Sequence, residues 1–190
     1  MVTYMYTSLP SLEEIWAWLD SVSDPEIPIL SVVDLGIVRN VRWTEEKESS
    51  TASDERELVP SVVVTITPTY SGCPAMAVIK TDIQQTLQQH GIRQVRLETQ
   101  LSPAWTTDWM TERGRKRLLE YGIAPPPRSE HGHSPNTERQ TRNAERQTQL
   151  LCPRCGSSDT RLVSRFGSTP CKAFYICNSC LEPFDYFKCH

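Results

Sequence analysis

The clearest periodicity in the chain comes first. Leu12, Ile15, Trp16, Leu19 and Val22 recur at helical spacing, so residues 12–22 present one apolar stripe. Ser11 followed three residues later by Glu14 reads as a capping box, in which each side chain satisfies an orphan amide of the other residue. The prolines of DPEIP (residues 24–28) end that helix, because each fixes φ and disfavours a helical residue before it. Residues 36–43 alternate Ile37, Val41 and Trp43 against Arg39 and Arg42, which predicts a half-buried strand. SVVVTIT (residues 61–67) is β-branched throughout and predicts a strand buried on both faces.

Between these strands, residues 45–57 are polar and mostly acidic, and read as a long hairpin loop or insertion. Residues 72–89 carry Met76, Ile79, Ile83 and Leu87 at helical spacing. Val95, Leu97, Thr99 and Leu101 alternate as a third strand, and residues 111–121 form a short amphipathic helix ending at Gly122. From residue 125 to 149 three prolines give way to Ser, His, Asn, Gln, Thr and Arg with almost nothing to bury, the composition of a flexible linker. The expected organisation is an α+β domain over residues 1–124, with helices packed on a small three-stranded sheet, then the linker at 125–149 and a small module at 150–190.

Cysteine usage defines that last module. Six of the seven cysteines fall in the final 39 residues, and Cys152-Pro-Arg-Cys155 and Cys177-Asn-Ser-Cys180 are separated by 21 residues. A C-x2-C turn directs two thiolates at one ion, and two such turns close a tetrahedral four-sulfur site. A segment of this size has too little core to fold alone, so metal binding supplies much of its folding free energy. Zinc suits the pattern; iron in the same four sulfurs is compatible with the ligand type. Residues 161–165 and 173–176 have the strand character of a zinc ribbon. Cys171, Cys189 and His190 offer alternative ligands, a redox pair, or thiols packed beside the site.

Composition narrows the function classes. The chain is 38% hydrophobic and 23% charged, which suits a globular protein with some unstructured sequence. No apolar run approaches the roughly 20 residues that span a bilayer, and the first nine residues lack the pattern of a secretory signal. The expected compartment is the cytoplasm, where thiols stay reduced, with no membrane partner. Residues 1–124 hold 11 Lys+Arg against 17 Asp+Glu, while residues 125–190 hold 9 against 6. The basic excess of the tail contains no Lys/Arg block, so a nucleic-acid partner is not expected.

One cysteine lies outside the tail. The buried strand ends in PTYSGCPA (residues 68–75), where Pro74 suits the first position of a helix and Cys73 its N-cap. Free amides and the helix dipole favour a thiolate there, so Cys73 is placed as a nucleophile or a soft-metal ligand. Asp24, Glu26 and Asp34 are candidate neighbours. The plainer reading is that Cys73 is a small cap residue and that Asp24 and Asp34 cap local turns.

DPEIPILSVVDLGIV (residues 24–38) and TPTYSGCPA (residues 67–75) resemble the domain shared by bacterial SufT-like proteins and eukaryotic cytosolic iron–sulfur assembly targeting factors. That resemblance implies that Asp24, Glu26, Asp34 and Cys73 form an iron, cluster or client site. With EIWAWL, PAWTTDWM, CPRC, FGSTPCKAFY and EPFDYFKC added, nearly the whole chain is similar to the PaaD (PaaJ) family, the D subunits of phenylacetyl-CoA epoxidase systems. Membership implies an accessory role in aerobic phenylacetate degradation, in iron–sulfur or di-iron maturation of the oxygenase and reductase subunits. A stably bound, non-catalytic subunit is the alternative. The chain has no Glu-x-x-His pair for a di-iron bundle and no G-x-G-x-x-G dinucleotide loop, so it is not expected to be the oxygenase or its reductase. The implied cofactors are Zn2+ and a transient iron–sulfur cluster or iron. A homodimer joining two Cys73 thiolates is a further arrangement that would build a cluster site. Trp105 and Trp109, four residues apart, either pack over a sheet edge or form a partner surface.

Overall fold

The computed structural model describes residues 9–47, 58–127 and 150–188, with only the backbone at residues 46, 47, 58 and 59. The remainder of the polar insertion (48–57), most of the linker (128–149), and Cys189 and His190 lie outside the described residues. The chain divides into two compact units, Met1–Ala104 and Trp105–His190.

The first unit starts with α1 (Leu12–Leu19), capped as the sequence predicts: Ser11 Oγ accepts from the Glu14 amide at 3.2 Å, and Glu14 Oε2 accepts from the Ser11 amide at 2.8 Å. The helix stops at Leu19, short of Val22, because the Ser21 amide turns back to the Trp18 carbonyl. Val22 is still buried, and its carbonyl accepts from the Val32 amide at 2.9 Å. β1 (Val38–Lys47) and β2 (Leu58–Ile66) pair antiparallel, and β2 pairs parallel with β3 (Gln94–Thr99) through α2 (Ala75–Gln89). β2 is therefore central, which is why its run of Val62, Val63, Val64 and Ile66 is buried on both faces.

The hairpin extends further than the side-chain pattern implies. Residues 45–47, expected in a loop, pair with Pro60, Val59 and Leu58. Ladder hydrogen bonds belong to the backbone and persist on an edge strand whose side chains are polar. β3 ends at Thr99, and Leu101, expected in the strand, is exposed. α2 buries Ala75, Ile79, Ile83 and Leu87, while Met76 is only half-buried. α1 packs on α2 and β1, α2 packs on β3, and the Trp18 and His90 rings stack with centroids 4.2 Å apart.

In the second unit, a single 3-10 turn (Thr107–Trp109) precedes α3 (Glu112–Tyr121). Thr111 caps α3 by accepting from the Gly114 amide at 2.9 Å, and Gly122 ends it at φ +87°, the left-handed conformation that glycine adopts without steric cost. β4 (Ile123–Ala124) then runs parallel to β7 (Pro183–Phe187) in a sheet ordered β4-β7-β6-β5, with β5 at Thr160–Ser164 and β6 at Lys172–Cys177. The division between units thus falls at Ala104, ahead of the expected boundary at 124. Residues 105–127 belong with the ribbon for identifiable reasons. Trp105 is buried edge-on to Phe187, with ring centroids 6.1 Å apart. The buried guanidinium of Arg115 donates to the carbonyls of Thr107 and Pro126, tying both ends of the segment together. No helix among the described residues is long and apolar enough to cross a membrane.

Candidate metal centre and the Cys73 turn

The two C-x2-C segments form matching turns. Cys152 donates its amide to the Ser157 carbonyl and Cys177 to the Glu182 carbonyl, at 2.9 and 3.0 Å. The residue after each second cysteine turns left-handed, Gly156 at φ +73° and Leu181 at φ +65°. The amides of Gly156 and Leu181 each reach back 2.9 Å to the carbonyl of the first cysteine, Cys152 and Cys177. Every sulfur then receives an amide from two residues downstream: Cys152 from Arg154, Cys155 from Ser157, Cys177 from Ser179 and Cys180 from Glu182. This arrangement favours sulfur in its anionic form.

The ligand atoms of Cys152, Cys155, Cys177 and Cys180 lie within 4.8 Å of one another, the one such group of three or more among the described residues. Cys152 and Cys180 sulfurs are 3.7 Å apart, and Cys155 and Cys177 sulfurs 3.6 Å. A tetrahedron with metal–sulfur bonds of about 2.3 Å has edges of about 3.8 Å, so the four sulfurs fit a metal of zinc's size. Electrostatics lead to the same requirement. The Cys180 amide, against the opposing effect of burial, holds Cys177 down to about 6. The Glu182 amide favours a Cys180 thiolate too, but burial and the sulfurs of Cys155, Cys177 and Cys152 push it up to about 12. Cys155 is also raised, its Ser157 amide outweighed by burial and by Cys177 and Cys152. Four thiolates cannot share this space without a cation between them. Cys152 and Cys177 also form the apolar core of the unit with Ala124 and Phe184, so the metal site and the core are the same place. Cys171 is buried outside the foursome, with its sulfur 3.1 Å from Thr169 Oγ1.

In the first unit, Asp24 and the backbone of Asp34 make hydrogen bonds within their own turns. Asp24 Oδ1 accepts from the amides of Glu26 at 2.9 Å and Ile27 at 2.7 Å, closing the DPEIP turn. Asp34 is fully buried, and its amide donates to Ser31 Oγ at 2.9 Å. The Asp34 turn leads into Ile37, whose carbonyl accepts from the Thr67 amide at 2.8 Å, so the segments bearing Asp34 and Cys73 leave the same end of the sheet. Cys73 is half-buried and stands one residue before the cap: Pro74 occupies the N-cap position and α2 begins at Ala75. The cause is the left-handed Gly72 (φ +91°), after which the first helical turn closes on the Cys73 carbonyl through the Met76 amide at 3.2 Å. No side chain caps α2. A cavity of about 400 Å³ is lined by Asp24, Pro25, Asp82, Gln85 and Gln89 among others; Cys73, Glu26 and Asp34 are not part of its wall.

Two features were not visible in the residues. Thr67 Oγ1 is buried without a hydrogen-bond partner among the described residues, at the point where β2 gives way to the Cys73 loop. The left-handed Leu181 has no compositional signal, because leucine does not favour positive φ; the matched spacing with Gly156 is the one clue.

The family model described as the PaaD zinc beta ribbon domain matches residues 134–188, and that of an iron–sulfur cluster assembly protein matches residues 12–95. Over 181 residues the chain is 47% identical to an Escherichia coli protein named as the D component of a "Putative 1,2-phenylacetyl-CoA epoxidase", covering 95% of this chain and 94% of that one. The chain belongs to the PaaD family. It is also 32% identical over 116 residues to an Fe-S protein maturation auxiliary factor of Porphyromonas gingivalis, covering 60% of this chain and 94% of that protein. Among solved structures, a domain of unknown function from Bacillus anthracis matches with a TM-score of 0.44 at 24% identity, covering 56% of this chain and 89% of that one. A conserved hypothetical protein from Thermotoga maritima matches with a TM-score of 0.42 at 25% identity, covering 57% and 94%. Within the PaaD family, then, the assembly-type region coincides with the first unit, and the ribbon with the four-sulfur site.

Proposed function

We propose that the protein is a cytoplasmic accessory factor of a phenylacetyl-CoA epoxidase system, a ring-epoxidising monooxygenase of aerobic phenylacetate degradation. In this reading it takes part in iron–sulfur or di-iron maturation of the oxygenase and reductase subunits. The resident metal is zinc on Cys152, Cys155, Cys177 and Cys180, which holds the ribbon together; as a closed four-sulfur site it offers no open position for chemistry. The cargo, an iron species or cluster, passes through Cys73, with Asp24, Glu26 and Asp34 shaping the loops around it. The observation that carries this reading is the contrast in sulfur placement: four sulfurs in one closed group, and Cys73 outside any such group on a half-exposed turn. The kinship with an Fe-S maturation factor supports assigning the assembly work to the first unit.

The test is to produce the oxygenase and reductase in cells carrying wild-type or Cys73→Ser protein, then measure iron and activity in each. The variant is expected to keep its own zinc while its clients emerge iron-poor. Clients with full metal content and activity would overturn the reading. The relative's name as an epoxidase component favours a second one, a stably bound non-catalytic partner in the complex. Co-purification at fixed stoichiometry during turnover supports that alternative, and an active complex lacking this chain counts against it.

A further inference from the structure

β5 closes one side of the ribbon sheet, with β6 on its inner edge and no strand on its outer edge among the described residues. An edge strand offers unpaired amides and carbonyls to any extended chain, and folds usually blunt such edges. Here every residue from 161 to 166 is exposed, including Leu162, Val163 and Phe166. In the neighbouring strands Phe184 and Phe187 are buried, and Phe174, Tyr175, Ile176 and Tyr186 are half-buried. A bulge at Val163 interrupts the ladder, yet Thr160, Arg161 and Leu162 stay in regular register with Cys177, Ile176 and Tyr175. The strand is therefore anchored directly beside a metal ligand.

Cations dominate the exposed length of this strand; the acids near it, Asp159 and Asp185, accept from Asn178 and pair with Lys172, respectively. Arg161 and Arg165 lie in or next to β5, and Lys188 Nζ sits 4.4 Å above the Phe166 ring. No Asp or Glu occurs from residue 160 to 170. An edge with open backbone groups, apolar side chains and cations fits an extended segment that is apolar and acidic. A second copy fits poorly, because pairing β5 with β5 would set arginines of both copies against each other. Nucleic acid also fits poorly: the cationic patch is three residues wide on a chain of net charge −3.

We infer that β5 is the docking edge for an acidic, strand-forming segment of a client subunit, which adds to the ribbon sheet as a fifth strand. This rests on the accessory role proposed above. It is tested with the full-length, metal-loaded chain and the oxygenase and reductase components, each purified separately. Amide exchange at residues 160–164 is expected to slow on binding. Arg161→Glu with Arg165→Glu, and separately Leu162→Asp, are expected to weaken binding about tenfold or more, with metal content and thermal unfolding unchanged. Wild-type binding that leaves the β5 amides unprotected and is insensitive to both variants would overturn the docking edge while the accessory role stands. Binding to neither component would overturn both. Self-association, or binding of a single-stranded oligonucleotide, that is lost in the same variants while component binding is unchanged would overturn the choice of partner.

Discussion

Two cysteines in this chain are followed by proline, and they do opposite things. After Cys152-Pro153 the chain turns left-handed at Gly156 and folds back, delivering amides to sulfur and bringing in three more sulfurs. After Cys73-Pro74 the chain continues as fifteen residues of helix, and the Cys73 sulfur joins no group of three or more ligands among the described residues. A turn that closes builds a site that retains its metal. A turn that opens into a helix leaves its sulfur half-buried and outside that group, the placement on which the proposed transfer role rests. Both units contain Cys-Pro; the conformation of the residues flanking it separates the two placements.

The largest test of this contrast is Cys152→Ser. It is expected to remove the metal, seen as loss of about one zinc per chain by elemental analysis. It should also unfold the second unit, because structural zinc contributes roughly 10 kcal/mol or more in small ribbons. Far-UV signal from α1 and α2 should persist. Loss of metal in Cys73→Ser instead would erase the distinction between the two turns.

Trp105→Ala comes next. It removes a buried ring packed on Phe187 and is expected to cost about 3–5 kcal/mol. The loss should appear as a lower unfolding midpoint of the ribbon unit with the first unit unchanged. A shift in the first unit alone would place the division back near residue 124.

Leu181→Gly should stabilise the ribbon by about 1 kcal/mol, since an exposed leucine holds a left-handed backbone at φ +65° where its counterpart is Gly156. The readout is a higher denaturant midpoint at unchanged metal content; no gain would mean that the two turns are not equivalent.

The smallest effect concerns the first unit alone. The Ser11 amide holds the Glu14 carboxyl below its usual 4.5, so the folded-state value is depressed. The stability this contributes is present above pH 4.5 and is lost as pH falls through the folded value. Glu14→Gln should flatten that acid limb slightly in the unfolding of the first unit, and leave the ribbon's pH response unaltered.

Legibility differed between the two sites for physical reasons. The four metal ligands were readable because C-x2-C is a local pattern in which spacing alone orients two sulfurs. Cys73 was readable as special from the strand, turn and proline around it, but its place one residue outside the cap depended on Gly72 turning left-handed. Asp24 and Asp34 were candidates for either chemistry or turn capping; Asp24 accepts from two amides of its own turn, and the Asp34 amide donates to Ser31 Oγ. Thr67 gave no signal, because a buried hydroxyl without a partner exists only once the surrounding chain has packed.

By itself, the sequence determined what is encoded within a few residues: the capping box of α1, the apolar face of α2, the doubly buried β2 and the paired sulfur turns. Tertiary structure alone decided what depends on distant partners. It drew Ile123–Ala124 beside β7, carried Trp105 onto Phe187 and so moved residues 105–127 into the ribbon unit. It also extended the β1–β2 ladder into polar residues 45–47. Periodicity reports which face of an element will be buried; which element covers that face is settled by the free energy of burying it, and that involves residues far apart in the chain.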